Sequence, residues 1–459
     1  MARINDLGKD PIPSLVLRIA IPSMLAQFVS VFYSIVDRIF VSSIPEVGDL
    51  ALAGVGVCGP IVTMVTSFAF LIGIGGTPLM GISLGERNKE RAQQILGNCF
   101  MMLCVLSVVL TGVVFAIREP MLRLFGASDI TYAYADSYFC TIICGTIFAL
   151  LSTGMNQFII CQGYAKTGMA AVMLGTVLNI ILDPVMIFVF DLGVQGAALA
   201  TVISQAASMV FVLSFLFSKR SNVKITFGNY NFGIMSRVLK LGFTPFAIIA
   251  VDNVMIIAMN ALLQKHGGAA QGDMLITCNT IVQSFMLVVT MPLGGISGGT
   301  QCILSYNYGA CNCERVTKAH NFIRLLCAGY NTLMFAMVYL AGPLFISLFT
   351  QDAELAAEAY RAIKICTLAI IPLGIQYAII DGLTGMGQVQ LSLPLSFWRK
   401  AVYFISIFLL PEFFGAGSVF FAEPISDILG PVVSIFICRK HLPKVLRLRE
   451  ENVALSPRH

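Results

Sequence analysis

Twelve apolar runs, each long enough to cross a bilayer, decide what this chain can fold into. Their approximate limits are 14–42, 52–83, 93–117, 133–162, 167–190, 194–218, 238–264, 274–307, 317–349, 358–386, 391–411 and 416–438. A hydrocarbon core about 30 Å thick takes roughly 20 apolar residues of helix to span it. Inside it no water satisfies the backbone, so the runs must be helices or closed barrels, and runs of this length predict helices. Only 12% of the 459 residues are charged and 57% are hydrophobic, against about 25% charged in soluble domains. The expected fold class is therefore an all-α polytopic membrane protein of twelve helices. Forty glycines and eighteen prolines suit closely packed and locally broken membrane helices.

The first run is too long for the core of a cleaved leader and is expected to be a retained helix. Thirteen cysteines lie mostly within apolar runs, where a thiol packs as a small hydrophobe. Cys311-x-Cys313 has no second pair, and the four histidines are dispersed, so no zinc site is expected. With both termini on the cytoplasmic side, 23 of the 29 Lys and Arg fall on that side, Arg399 and Lys400 among them. Five fall outside, and Arg38 is left over within the first run. That bias sets the expected orientation. The net charge of +5 reflects loop bias and not a nucleic-acid partner.

The two halves repeat. Gly85-Glu-Arg-Asn-Lys-Glu90-Arg91 reappears as Gly309-Ala-Cys-Asn-Cys-Glu314-Arg315, and Gly73-Ile-Gly-Gly-Thr-Pro as Gly295-Ile-Ser-Gly-Gly-Thr. Arg18…Pro22 matches Lys240…Pro245, and Gly196…Thr201…Ser204 matches Gly417…Glu423…Ser426. The matches keep their order at nearly constant offset, which is a parallel duplication of six helices. The expected division is an N-lobe over 1–218, a cytoplasmic linker over 219–236, a C-lobe over 237–438 and a cytoplasmic tail over 439–459.

The polar residues inside the runs carry the chemistry. In Leu178-Asn179-Ile-Ile-Leu-Asp183-Pro184, Asn179 and Asp183 share one helix face, and Pro184 leaves the carbonyl of Ile180 without its usual donor. An acid at membrane depth is a functional candidate by default. Asp37 and Tyr33 are likewise one turn apart, and Thr201 stands near the outer start of the sixth run. At about 1.5 Å per residue these groups fall roughly 7–16 Å below the outer boundary, so they can form one layer. Arg38 points about 100° away from Asp37, a poor geometry for a pair. Two carboxylates, an amide oxygen and a hydroxyl suit either a small hard cation such as Na⁺ or one proton shared between the carboxylates.

In the second half Asn260 stands where the repeat puts Asp37, and Glu423 stands where it puts Thr201. Asp252 lies mid-run. Asp381 and Asp427 are expected nearer the inner ends, as hydrated structural acids. Gln162, Asn279 and Gln283 either line a cavity or bond between helices. There is no P-loop and no HExxH, so nothing points to an enzyme or to a bound cofactor.

Four of these patterns together resemble the multidrug and toxic compound extrusion family, MATE, in its DinF/MepA-like bacterial branch. They are Tyr33-Ser-Ile-Val-Asp37-Arg-Ile-Phe-Val, Gly81…Leu84-Gly85 with its basic loop, Asn179…Asp183-Pro184, and Gly193…Gly196-Ala-Ala-Leu-Ala-Thr201. The resemblance covers both repeats. It implies two pseudo-twofold-related six-helix lobes around a V-shaped cavity, and export of amphiphilic, often cationic organic compounds against H⁺ or Na⁺. It implies a monomer in a bacterial inner membrane whose partners are drug-like substrates and the bilayer. It assigns cation or proton coupling to Asp37, Asn179, Asp183 and Thr201. It adds Tyr33, Tyr138 and Asn156 as lining of the substrate cavity. Gln283, Asp252 and Glu423 are the further substrate-cavity candidates of the second half. Relatives in another branch carry C-lobe acids on the seventh and tenth spans, where this chain has Asp252 and Asp381. The alternative within the superfamily is a flippase of lipid-linked oligosaccharides, whose anionic substrate would call for several cationic side chains in the runs.

Overall fold

The computed structural model describes residues 5–45, 48–125 and 129–454. Within these the secondary structure is helical, and among the described residues there is no strand. The helices are α1 (Ile12–Ser42), α2 (Gly48–Gly85), α3 (Lys89–Ala116), α4 (Arg118–Leu124), α5 (Tyr132–Cys144), α6 (Thr146–Cys161), α7 (Ala165–Pro184) and α8 (Gly193–Phe217). They continue with α9 (Phe232–Gly309), α10 (Cys313–Ser347), α11 (Ala353–Cys366), α12 (Ile370–Gly385), α13 (Val389–Phe414) and α14 (Ala422–Ala454). α9 is two helices in one run, broken at Gly268, whose φ of 61° and ψ of −166° lie outside helical space. Among the described residues ten helices are long and apolar enough to cross a membrane. The number is twelve when α5–α6 and α11–α12, bent by 53° and 50°, each count as one span. The twelve runs read from the sequence are thus present, two of them as broken helices.

The repeat is copied in backbone detail. Arg87 and Cys311, 224 apart, both adopt positive φ, 60° and 56°. The residue after each, Asn88 and Asn312, caps the next helix by accepting from the backbone N–H of Arg91 and of Arg315. Ser83 and Asn307 carbonyls close the two turns at the same 2.9 Å. Asn is a preferred N-cap because its side chain satisfies one of the free amides of the first turn. Gly163 and Gly387, again 224 apart, both have positive φ.

The chain divides into two compact units. Unit 1 is built on Ile21–Phe246, and unit 2 on the residues from Ala247 onwards with the segment Leu7–Ala20. In unit 1, α2 and the start of α9 approach with no room for a side chain. A Cβ on Gly242 would stand 1.7 Å from the Leu71 carbonyl oxygen, and one on Gly75 2.2 Å from that of Val238. Glycine is what lets two membrane helices pack backbone to backbone. Of the two roles open to Gln162, lining a cavity or bonding between segments, the structure shows the second: it holds the segment after α8. Its Oε1 accepts from Val223 N at 2.8 Å and from Ser221 Oγ at 3.0 Å. Asn98 does the same one step further on, accepting from Asn231 N at 2.9 Å. Unit 2 has its own apolar core, in which Leu263, Val289, Ile363 and Ile407 have no exposed surface.

Candidate carboxylate site

In unit 1 four helices bring the predicted residues together. α1 supplies Tyr33 and Asp37, α5 Tyr138, α7 Asn179 and Asp183, and α8 Thr201. The i, i+4 spacing does the local work twice, placing Tyr33 with Asp37 and Asn179 with Asp183. Pro184 ends the regular α-helix directly after Asp183, and the chain continues as a π-helical turn, Val185–Val189. Proline cannot donate back to Ile180, and a π turn absorbs the resulting mismatch.

Thr201 Oγ1 is the hub. It accepts from Asn179 Nδ2 at 3.3 Å and lies 3.4 Å from the Tyr33 hydroxyl. Asp37 and Asp183 lie within electrostatic reach of one another. Asp183 has no exposed surface and Asn179 is 2% exposed. Tyr138 is buried beside them, in electrostatic reach of Tyr33, Asp37 and Asp183. Among the described residues no donor reaches Asp37 Oδ1, either Asp183 oxygen or Asn179 Oδ1. Four buried acceptors that converge without a donor are costly as they stand, and a cation or a proton would satisfy them. Asn156 is buried as well, but its amide bonds the Gly168 carbonyl at 3.3 Å and so ties α6 to α7.

Unit 2 is built differently. Asn279 donates to Asn260 Oδ1 at 2.9 Å. Asn279, Gln283, Tyr403 and Glu423 line a small cavity of about 10 Å³, room for about one water. Asp252 does not stand free as a cavity acid: Lys400 Nζ bonds its Oδ1. Asp381 accepts from Ser297 Oγ at 2.5 Å.

Two expectations are corrected here. Asp427 is not a hydrated acid. It has no exposed surface and pairs with Arg399 at 2.8 Å. Nor are Arg399 and Lys400 loop charges. They stand well inside α13, each side chain only 12% exposed. A charge count along the sequence takes them as loop charges because burial and pairing do not enter it. The acids that neutralise them, Asp427 and Asp252, come from α14 and α9, distant in sequence. Both cations are paired, so neither offers a free charge to an anionic headgroup, which disfavours the flippase alternative.

Comparison with known proteins agrees with this architecture. The MatE family matches residues 22–185 and 249–409. The multidrug export protein MepA of Staphylococcus aureus (strain NCTC 8325 / PS 47) is 22% identical over 432 residues, covering 94% of each chain. MepA of Staphylococcus haemolyticus is 22% identical over 425 residues, covering 92% of each. Among solved structures, the outward-facing conformation of a multidrug resistance MATE family transporter of the MOP superfamily superposes with a TM-score of 0.89. It is 22% identical, over 96% of this chain and 98% of that one. A MOP superfamily transporter from Pyrococcus furiosus, described as having a binding pocket of reversed polarity, gives the same TM-score at 22% identity over 96% and 97%.

Proposed function

We propose, from the premise that the chain belongs to the MatE family, that it is a cation-coupled exporter of amphiphilic, often cationic organic compounds. Its named relatives are multidrug export proteins and not enzymes. The observation that carries the reading is the set of four donorless buried oxygens on Asp37, Asn179 and Asp183. In this reading they bind the coupling ion, with Thr201 orienting the Asn179 amide. The ion is H⁺, bridging the two carboxyl groups, or Na⁺, held by the carboxylates and the amide oxygen. Tyr33 and Tyr138 present an aromatic wall to an organic cation, which competes with the ion for the same negative charge. Binding either one weakens the other by the same factor. Alternating access then turns an inward flux of ions into outward flux of drug. The transporter acts as a monomer in a bacterial inner membrane with both termini cytoplasmic. In unit 2, Gln283, Glu423 and the Lys400-bound Asp252 are the residues proposed to meet the substrate.

The deciding experiment loads proteoliposomes with a fluorescent organic cation and imposes a Na⁺ gradient in one arm and a pH gradient in the other. Efflux driven by one gradient, and absent in Asp37→Asn and Asp183→Asn, is the expected result and names the ion. Full efflux in both variants overturns the assignment.

A further inference from the structure

Unit 2 holds a much larger space than the chamber beside Glu423. An open cavity of about 920 Å³ lies where the second half of α9, the start of α11, the end of α13 and the start of α14 meet. Drug-sized ligands occupy pockets of roughly 300–1,000 Å³ with mostly apolar walls and a few placed polar groups. The walls here are Met274, Leu410, Phe414 and Phe421. Phe414 and Phe421 keep 76% and 40% of their surface exposed although they line the cavity. They supply aromatic faces, and the thioether of Met274 adapts to varied shapes.

The charge of the cavity has one sign left over. Glu354 and Glu358, one turn apart on α11, both line it. Arg361 pairs with Glu358 at 3.3 Å. Among the described residues no cation lies within ion-pair distance of the Glu354 carboxylate. The wall opposite α11 is Gly415-Ala416-Gly417-Ser418, whose small side chains leave the volume open. A Cβ on Gly417 would meet nothing nearer than Glu358 Oε1 at 4.0 Å, so a side chain there grows into the cavity.

We propose that this cavity is a second binding site, for lipophilic organic cations, separate from the carboxylate site of unit 1. It rests on the exporter reading for its place in the cycle: in the proposed orientation the cavity opens to the outside, where exported cations emerge. Glu354 supplies the charge that selects a cation, and the Phe414 and Phe421 faces supply its affinity for an organic one. A small hydrated inorganic ion gains nothing from such walls, and an anion is repelled.

The test uses the full chain in phosphatidylcholine nanodiscs with radiolabelled tetraphenylphosphonium, in an Asp37→Asn/Asp183→Asn background that removes the unit 1 site. Saturable binding persists in that background. Glu354→Gln weakens it about three- to tenfold, as expected for a partly screened charge beside aromatic faces, and Gly417→Phe abolishes it. If Gly417→Phe does not fold, Ala357→Phe, an exposed position on the α11 wall, fills the same space. An azido derivative of the probe labels the peptide that carries Phe414. Loss of all binding in the Asp37→Asn/Asp183→Asn background overturns the inference, as does binding indifferent to Glu354→Gln and to the filling variant. Neither result bears on the exporter reading, which stands or falls on whether that background still drives efflux.

Discussion

At the scale of single residues, the carboxylate site of unit 1 is built from two pairs spaced one helical turn apart and one hydroxyl that joins them. Asp37 with Tyr33, and Asp183 with Asn179, could be placed on shared faces because i, i+4 geometry is local. What could not be read was which atoms stay unsatisfied, since that depends on α1, α7 and α8 meeting. Thr201 illustrates this: its hydroxyl is an ordinary helix residue until Asn179 and Tyr33 converge on it. Thr201→Val should therefore leave the fold intact and weaken ion binding about two- to tenfold, the range for one hydrogen bond, as read by the ion concentration that half-saturates efflux. An unchanged half-saturation would remove Thr201 from the site. The Arg399–Asp427 pair was missed because each partner is visible in sequence and their meeting is not. Arg399→Met leaves a fully buried Asp427 without its cation, and the expected cost is about 3–5 kcal/mol. The double variant Arg399→Met/Asp427→Asn should recover most of that in thermal unfolding. A double variant no more stable than the single would mean that the pair is not the interaction lost.

At the scale of elements, the runs and their order were legible because the bilayer leaves a chain few options. The breaks were less so. The 53° bend at Gly145 and the 50° bend before Ile370 fall inside runs that are each apolar enough to count as one span, and hydropathy carries no backbone angle. Pro184 was legible as a kink, but the π turn after it was not, because only packing decides how a missing hydrogen bond is absorbed. If the turn sets the position of Asp183, Pro184→Ala should lower coupled efflux while thermal stability holds or rises, since alanine restores the regular helix. Reduced stability together with reduced efflux would instead make Pro184 a packing residue. The α2–α9 approach gives a contrasting case. Gly242→Ala places a methyl on the Leu71 carbonyl, so the expected outcome is a loss of about 1–3 kcal/mol, seen as a lower unfolding temperature. No change there would mean that the two helices separate at little cost.

At the scale of the whole molecule, the duplication explains both what the halves share and what they do not. The shared parts are backbone devices, the positive-φ residue and Asn cap after the second helix of each half, which any sequence of the right turn chemistry reproduces. The polar chemistry diverged. In unit 1 the acid sits on α1 and the hydroxyl on α8. In unit 2 the corresponding positions hold Asn260 and Glu423, and the deep acids Asp252 and Asp427 are taken up by Lys400 and Arg399. Two once-equivalent sites thus differ in how much charge is free to bind an ion, and coupling should be one-sided. Reciprocity makes this measurable. If drug and ion share unit 1, raising the coupling ion weakens drug affinity by the same factor by which drug weakens ion affinity. That dependence should vanish in Asp37→Asn/Asp183→Asn and persist in Glu423→Gln, whose carboxylate faces a chamber of about one water. Drug dissociation constants measured across an ion titration in the three proteins decide it. If the ion dependence survives in the unit 1 variant and disappears in Glu423→Gln, the coupling site lies in the other half of the repeat.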